Sequence, residues 1–255
     1  MPGLLELLAN EDWLGPFAVP IGLDPSGRPV WHDLRSTTAR HLLVRAPAPD
    51  RFELIRTVAV GLSLTTRPAL LQFLTIDSTG CELLILENLP HAIAETSIGP
   101  AAAGLSLRWL IAELETREGE GRTWPGILLV IDDLADLSVQ ESRGALRWVD
   151  RILRRGGTVG IHVLAGASQR GGLSWRSAWR RPDAAHAGGM AAPGEVDYRR
   201  GTSRVRTRMA RLSAVDLDLV ARGQGRRLVI SMARGAARWS QPRSSSPRLF
   251  QGGTG

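Results

Sequence analysis

Short apolar runs alternate along the chain with longer stretches in which apolar residues recur at helical spacing. The runs at 41–44, 70–77, 125–133 and 158–165 have the length and β-branched content of buried strands. Between and around them the spacing predicts helices over 3–13, from Asp50 onward, over 101–117 and over 142–155. In 101–117 the apolar stripe is read on Leu105, Trp109, Ala112 and Leu114. Residues 17–23 and 30–34 flank a Pro- and Gly-bearing spacer at 24–29, which predicts a small β-hairpin lying ahead of the main sheet. Strands alternating with helices argue for an α/β fold with a mainly parallel sheet and helices on both faces.

The junction after strand 41–44 is where many α/β proteins cradle a phosphate. A working loop there needs glycines so that backbone N–H groups can converge, a lysine for the outer phosphates and a Ser or Thr for magnesium. This chain has Ala46, Pro47, Ala48, Pro49, Asp50, Arg51, Phe52 and Glu53 instead. The prolines offer no N–H and lock φ. Asp50 and Glu53, three apart at a helix start, read as the acidic variant of a capping box, whose carboxylates would occupy the first-turn N–H groups and repel phosphate. No lysine can reach in from elsewhere, because all 32 basic residues are arginine.

Two carboxylates, Asp132 and Asp133, end the apolar run 125–133. In nucleoside triphosphatases such a pair orients the magnesium shell and activates water, although acids also cap strand ends for purely local reasons. Gln169, after the run 158–165, stands where a polar side chain could sense a γ-phosphate.

Charge divides the chain. Residues 1–150 hold 12 Arg against 20 acids, or −8, and residues 151–255 hold 20 Arg against 5 acids, or +15. Arg170, Arg176, Arg180 and Arg181 are interleaved with Trp175 and Trp179; Arg204, Arg206 and Arg208 follow within the basic stretch 199–211. Such a face suits phosphate backbones, of nucleic acid or of an anionic membrane. A solvated basic surface, with the tryptophans pinning a short helix to the core, is the plain alternative. The single cysteine, Cys81, excludes an internal disulfide and fits a reducing compartment. No apolar run approaches the roughly 18 residues of a membrane span, and the N-terminus lacks a basic leader, so a cytoplasmic location is expected. No metal-ligand spacing stands out. From Ala236 onward Ser, Pro, Gly and Arg predominate, as in a disordered basic tail.

In this order the elements resemble the motor domain of the FtsK/SpoIIIE family. The resemblance rests on residues 21–30, on 41–44, on 73–77 with Glu82, on 89–91, on 107–109 with Glu113, Glu115 and Arg117, on 132–137, on 160–162 with Gln169, and on 194–196 with Val205. It implies a RecA-like P-loop NTPase fold over 17–235, after an N-terminal helical segment, 1–16, that serves either to dock a neighbour or to cap its own core. The tail, 236–255, follows. It also implies an ancestral ATP-dependent translocase of double-stranded DNA, working as a homo-oligomeric ring or beside a paralogous ATPase. The departures are as informative. Residues 46–53 replace the family's Gly-x-x-Gly-x-Gly-Lys-Ser pattern, Asp133 replaces the usual glutamate, and the segment after Gln169 is short enough to imply loss of the end of the sheet. The expected protein is therefore an ATPase-dead relative that binds duplex DNA or acts as a scaffold, with no cofactor unless the ancestral ATP and magnesium site survives. Two other readings stay open: an active ATPase using an unconventional loop or a mixed ring, and a non-catalytic interaction module like the silent ATPase domains of type VII secretion motors.

Overall fold

A computed structural model describes residues 2–9, 14–78, 80, 82–139, 144–168, 181–189 and 192–221. The chain begins with α1 (Leu4–Leu8), then β1 (Ala18–Leu23), β2 (Pro29–Asp33), β3 (His41–Arg45) and α2 (Ala48–Thr65). It continues through β4 (Leu71–Asp77), the short β5 (Ser97–Ile98), α3 (Gly99–Glu120), β6 (Gly126–Ile131), α4 (Asp136–Val139), α5 (Ala145–Arg155) and β7 (Ile161–Gly166). The last described elements are β8 (Ala184–Gly188), β9 (Glu195–Arg200), β10 (Ser203–Met209) and α6 (Ala214–Ala221).

The ten described strands join one sheet in the order β2-β1-β10-β9-β8-β3-β7-β6-β4-β5. From β8 to β5 every pairing is parallel, and from β8 to β2 every pairing is antiparallel. This is the expected α/β architecture, and the period-two alternation of side chains explains its two layers. Leu42 and Val44 of β3, Leu128 and Val130 of β6, and Leu71 and Phe73 of β4 pack with α1 and α2 on one face. Leu43, Leu129, Ile131, Leu74 and Ile76 point the other way, against α3 and α5.

Several expectations from the sequence need correction. The hairpin of β1 and β2 does not stand ahead of the sheet; β1 pairs with β10, which makes the hairpin the sheet's antiparallel edge. Nor has the sheet lost its end, because β8, β9 and β10 supply it. α1 is shorter than 3–13, ending at Leu8, and residues 10–13 lie outside the described residues. Leu4 and Leu8 are fully buried in the core, and the segment is tied down by Leu4 N–H to Arg211 O, 2.9 Å, and Arg211 N–H to Pro2 O, 3.0 Å.

α3 is longer than predicted and is turned differently. Its buried residues are Ala103, Leu107, Leu110, Ile111 and Leu114, while Leu105 and Trp109 are exposed. The stretch is apolar on more than one face, so two stripes compete in the sequence. The sheet and α5 select the one that reaches them.

Candidate functional site

The carboxyl ends of β3, β4, β6 and β7 lie side by side, the usual ligand edge of an open α/β sheet. Backbone bonds knit them together: Ala167 N–H to Val44 O, 2.9 Å; Leu134 N–H to Gly166 O, 2.9 Å; and Asp132 N–H to Ile76 O, 3.2 Å. The fold therefore brings residues 46–53, Asp77, Asp132 and Asp133 to one place.

What fills that place is a side chain of the chain itself. Arg51 is buried, with its Nη2 3.1 Å from Asp133 Oδ2 and its Nη1 donating to Ala46 O at 3.2 Å. Its guanidinium carbon lies 4.7 Å from the centre of the Phe52 ring. The other oxygen of Asp133 accepts from Ala135 N–H, 2.9 Å, and Ser168 N–H, 3.0 Å. All of the carboxylate's obvious partners are thus internal. Gly166 makes room for the arginine: a Cβ there would lie 2.0 Å from Asp132 O and 2.7 Å from Arg51 Cδ. The sequence reading took Arg51 as one member of a broken loop and missed its role as the cation of the site. Its spacing alone could not reveal a partner 82 residues away.

The capping box is corrected. The helix begins at Ala48 with Pro47 as N-cap, and no side chain caps it. Arg51 N–H reaches Pro47 O at 2.9 Å, the first helical bond. Glu53 turns away from its own helix start. It accepts from Leu212 N–H at 3.2 Å and from Arg56 Nη2 at 3.1 Å, and so ties the start of α2 to the strand-end segment after β10. Asp50 sits in the first turn, where its charge still favours the positive helix end.

Asp132 and Asp77 form a second knot. Ser78 donates to Asp132 through N–H, 2.9 Å, and Oγ–H, 3.1 Å. Asp77 accepts from Gly80, Glu82 and Leu83 N–H at 3.1, 2.8 and 2.7 Å, which shapes the loop after β4. Burial pushes the Asp132 carboxyl up to about 7, against the hydrogen bonds it accepts and with the Asp77 charge adding to the rise. Among the described residues no group of three or more His, Cys, Asp or Glu could hold a metal ion.

A magnesium–nucleotide complex does not fit these residues. The loop lacks lysine and glycine, Glu53 stands at the hydroxyl position, and the Arg51–Asp133 ion pair closes the space between loop and strand end. Beside it a cleft of about 440 Å³ is lined by Pro49, Asp50, Phe52, Glu53, Arg56, Glu82 and Arg211, which mix both signs of charge.

The arginines expected to bind DNA fall into three groups. Arg170, Arg176 and Arg180 lie outside the described residues, as does Gln169, the expected γ-phosphate sensor. Arg181 forks onto Asp183 at 2.9 and 3.1 Å, beside the buried His41 at the opposite edge of the sheet from residues 46–53. Arg204, Arg206 and Arg208 are exposed at alternate positions of β10, hence on one face, while Thr207 and Met209 between and after them are buried. The sequence reading took this stretch as a basic run. The alternation in Ser203–Met209 was the signal for a half-buried strand, and the same pattern in Glu195–Arg200 was its antiparallel partner.

The FtsK/SpoIIIE family model matches residues 4–120, a span that includes the altered loop and stops ahead of Asp132. Among curated proteins, the chain is 27% identical over 176 residues to the DNA translocase SftA of Bacillus subtilis, covering 61% of this chain and 18% of that protein. It is 28% identical over 182 residues to the DNA translocase FtsK of Lactiplantibacillus plantarum, covering 61% and 22%. The chain thus spans about a fifth of the length of these relatives. Among solved structures, the cytoplasmic domain of the Thermomonospora curvata type VII secretion ATPase EccC superposes with a TM-score of 0.68 at 20% identity, over 87% of this chain and 34% of that one. The conjugation coupling protein TcpA of pCW3, solved with ATPγS, gives 0.63 at 17% identity, over 83% and 71%.

Proposed function

We propose, from the chain's similarity to FtsK/SpoIIIE-type motor domains, that it is a silent one, which has given up ATP hydrolysis and serves a motor assembly by binding duplex DNA or by holding a neighbouring subunit. The observation that carries the reading is the buried ion pair between Arg51 and Asp133. A cation supplied from within occupies the acidic residue at the position that would activate water. No incoming phosphate or magnesium can take its place without separating two buried charges, at a cost of several kcal/mol by analogy with other buried pairs. The exposed arginines of β10 support the DNA-binding part, since a row of guanidinium groups on one strand face matches the spacing needs of a phosphate backbone better than those of a single small anion.

The test is a thermal-shift titration with MgATP and with duplex DNA side by side. Millimolar MgATP should leave the melting temperature unchanged, because only a ligand that binds the folded state raises it. Duplex DNA should raise it at low salt, irrespective of sequence, and lose the effect as salt increases. A clear MgATP stabilisation, or steady phosphate release by the chain alone, would overturn the silent reading.

A second reading draws on the cleft beside the closed loop. A relative of similar fold, EccC ATPases 2 and 3, was solved in complex with a signal sequence peptide. In this chain the cleft's mixed charges, Asp50, Glu53 and Glu82 facing Arg56 and Arg211, suit a polar peptide segment. Capture of a partner's peptide without any affinity for DNA would favour that module over the DNA-binding one.

A further inference from the structure

The α3/α5 face of the sheet continues past those helices onto β8, β9 and β10, and the register there lines up a set of charged residues. Leu43 of β3 pairs with His186 of β8, His186 with Arg199 of β9, and Arg199 with Arg204 of β10. One row along, Arg45 pairs with Gly188, Gly188 with Asp197, and Asp197 with Arg206. Arg45 shares the face of Leu43, since Val44 and Ala46 pack with α2 on the other side. These residues therefore lie across the sheet from the closed loop.

The patch carries more positive charge than its carboxylate can balance. Arg199 and Arg204 face each other directly across an antiparallel pair, where like charges repel. Among the described residues Asp197 is the one carboxylate lining the concavity, and it is shared: it pairs with Arg204 and, at 3.8 Å, with Arg206. The hydrogen bond from Arg204, followed by the charges of Arg204, Arg206 and Arg199, holds its carboxyl below the usual range. Gly188 keeps the floor open, because a Cβ there would meet Arg45 O at 2.9 Å and Arg45 Cβ at 3.2 Å. The resulting hollow has a volume of about 320 Å³. His186 lines it with an imidazole kept neutral at ordinary pH by burial and by the Arg199 charge.

We propose that this hollow, with Arg45, Arg199 and Arg204 around the Gly188 floor, is a binding site for phosphate oxyanions, taken either from the backbone of duplex DNA or from a free polyphosphate. Arginines from three strands line a space wide enough for a phosphate group, with Arg204 also holding Asp197, and fork-to-oxyanion pairing is the geometry arginine provides best. An anion between Arg199 and Arg204 turns a repulsive cross-strand pair into two attractive contacts. For its macromolecular ligand the site rests on the duplex-binding part of the function proposed above; for the free anion it stands alone.

The experiment compares the full chain with Arg199→Gln and Arg45→Gln, using sodium tripolyphosphate in a thermal-shift titration and a fluorescent duplex in anisotropy, each over a salt series. Tripolyphosphate is expected to raise the melting temperature of the native chain and to lose most of that effect in both variants. Duplex affinity is expected to fall about tenfold, with the slope of log K against log salt smaller by about one for each arginine removed. In the absence of anion, Arg199→Gln should melt no lower than the native chain, because it removes a like-charge pair; this guards against a folding defect. If tripolyphosphate binding is lost in the variants while no duplex binds to any of them, the hollow is a free-polyphosphate site and the DNA reading falls. If duplex binds equally to all three with equal salt slopes, the DNA reading stands and the hollow is overturned as its contact. Tripolyphosphate stabilisation that is absent, or unaltered by either substitution, overturns the site itself.

Discussion

Arg51, in the first turn of α2, and Asp133, just after β6 and 82 residues further along the chain, meet at 3.1 Å with both side chains 6% exposed. Pairs buried to this extent are costly to break from one side. Arg51→Met should destabilise the fold by about 3–5 kcal/mol, because it leaves a buried carboxylate facing only two backbone N–H groups. Adding Asp133→Asn to it should recover most of the loss, since the amide oxygen still accepts those N–H groups without carrying a charge. Urea denaturation of the native, single and double variants measures both steps. A single variant within about 1 kcal/mol of the native chain would show that the pair does not hold the site closed.

Asp132 makes a pH prediction of unusual sign. Its carboxyl is raised to about 7 in the fold, against 3.8 for the ordinary group, so between these values the folded state binds the extra proton. Stability contributed by this group is present at low pH and is lost as pH rises toward 7, the reverse of a salt-bridged carboxylate. The buried His41 and His162, lowered to about 3 and about 4 chiefly by burial, act in the opposite direction: their contribution is complete above the ordinary histidine value of 6.5 and is lost on acidification. The native chain therefore shows a partly cancelled profile. Asp132→Asn should remove one of the two components, so that melting temperature rises more steeply from pH 5 to pH 7 than in the native protein. Parallel profiles for the two proteins would place the Asp132 carboxyl in its ordinary range.

The rotation of α3 can be checked by substitution. Leu110 is fully buried and Trp109, its neighbour, is 45% exposed. Leu110→Ala should cost about 2–5 kcal/mol through lost burial and the cavity left behind. Trp109→Ala should stay within about 1 kcal/mol, as surface changes usually do. Equal losses by chemical denaturation would mean that the helix presents the stripe on Leu105 and Trp109 to the core instead.

Much of the fold was legible in the order of residues because its signals are local. The runs ending in Val44, Asp77 and Ile131 are apolar on both faces, as strands of a parallel sheet covered by helices must be, and they emerge as β3, β4 and β6 with small shifts at their ends. The altered loop was legible for the same reason: proline, the lack of lysine and the missing glycines are properties of residues, whatever surrounds them. Asp132 and Asp133 could be placed at a strand end from their spacing alone.

What the sequence by itself determined, then, is that residues 46–53 lack the glycines, the lysine and the Ser or Thr of the family's phosphate-binding pattern. Tertiary structure decided what they do instead. Glu53, which local pattern assigns to its own helix cap, is drawn to Leu212 N–H and Arg56, because Pro47 already starts the helix and leaves the carboxylate free to reach a segment 159 residues away. Arg51, unremarked by any local rule, becomes the central cation of the site, because only the folded sheet sets β6 beside β7 and β3 beyond it, with a glycine at 166 to let the guanidinium through. The like-charged pair of Arg199 and Arg204 likewise exists only in the register of β9 against β10. Backbone chemistry acts over a few residues and can be read along the chain; ion pairs and strand registers act through space and can be read only in the fold.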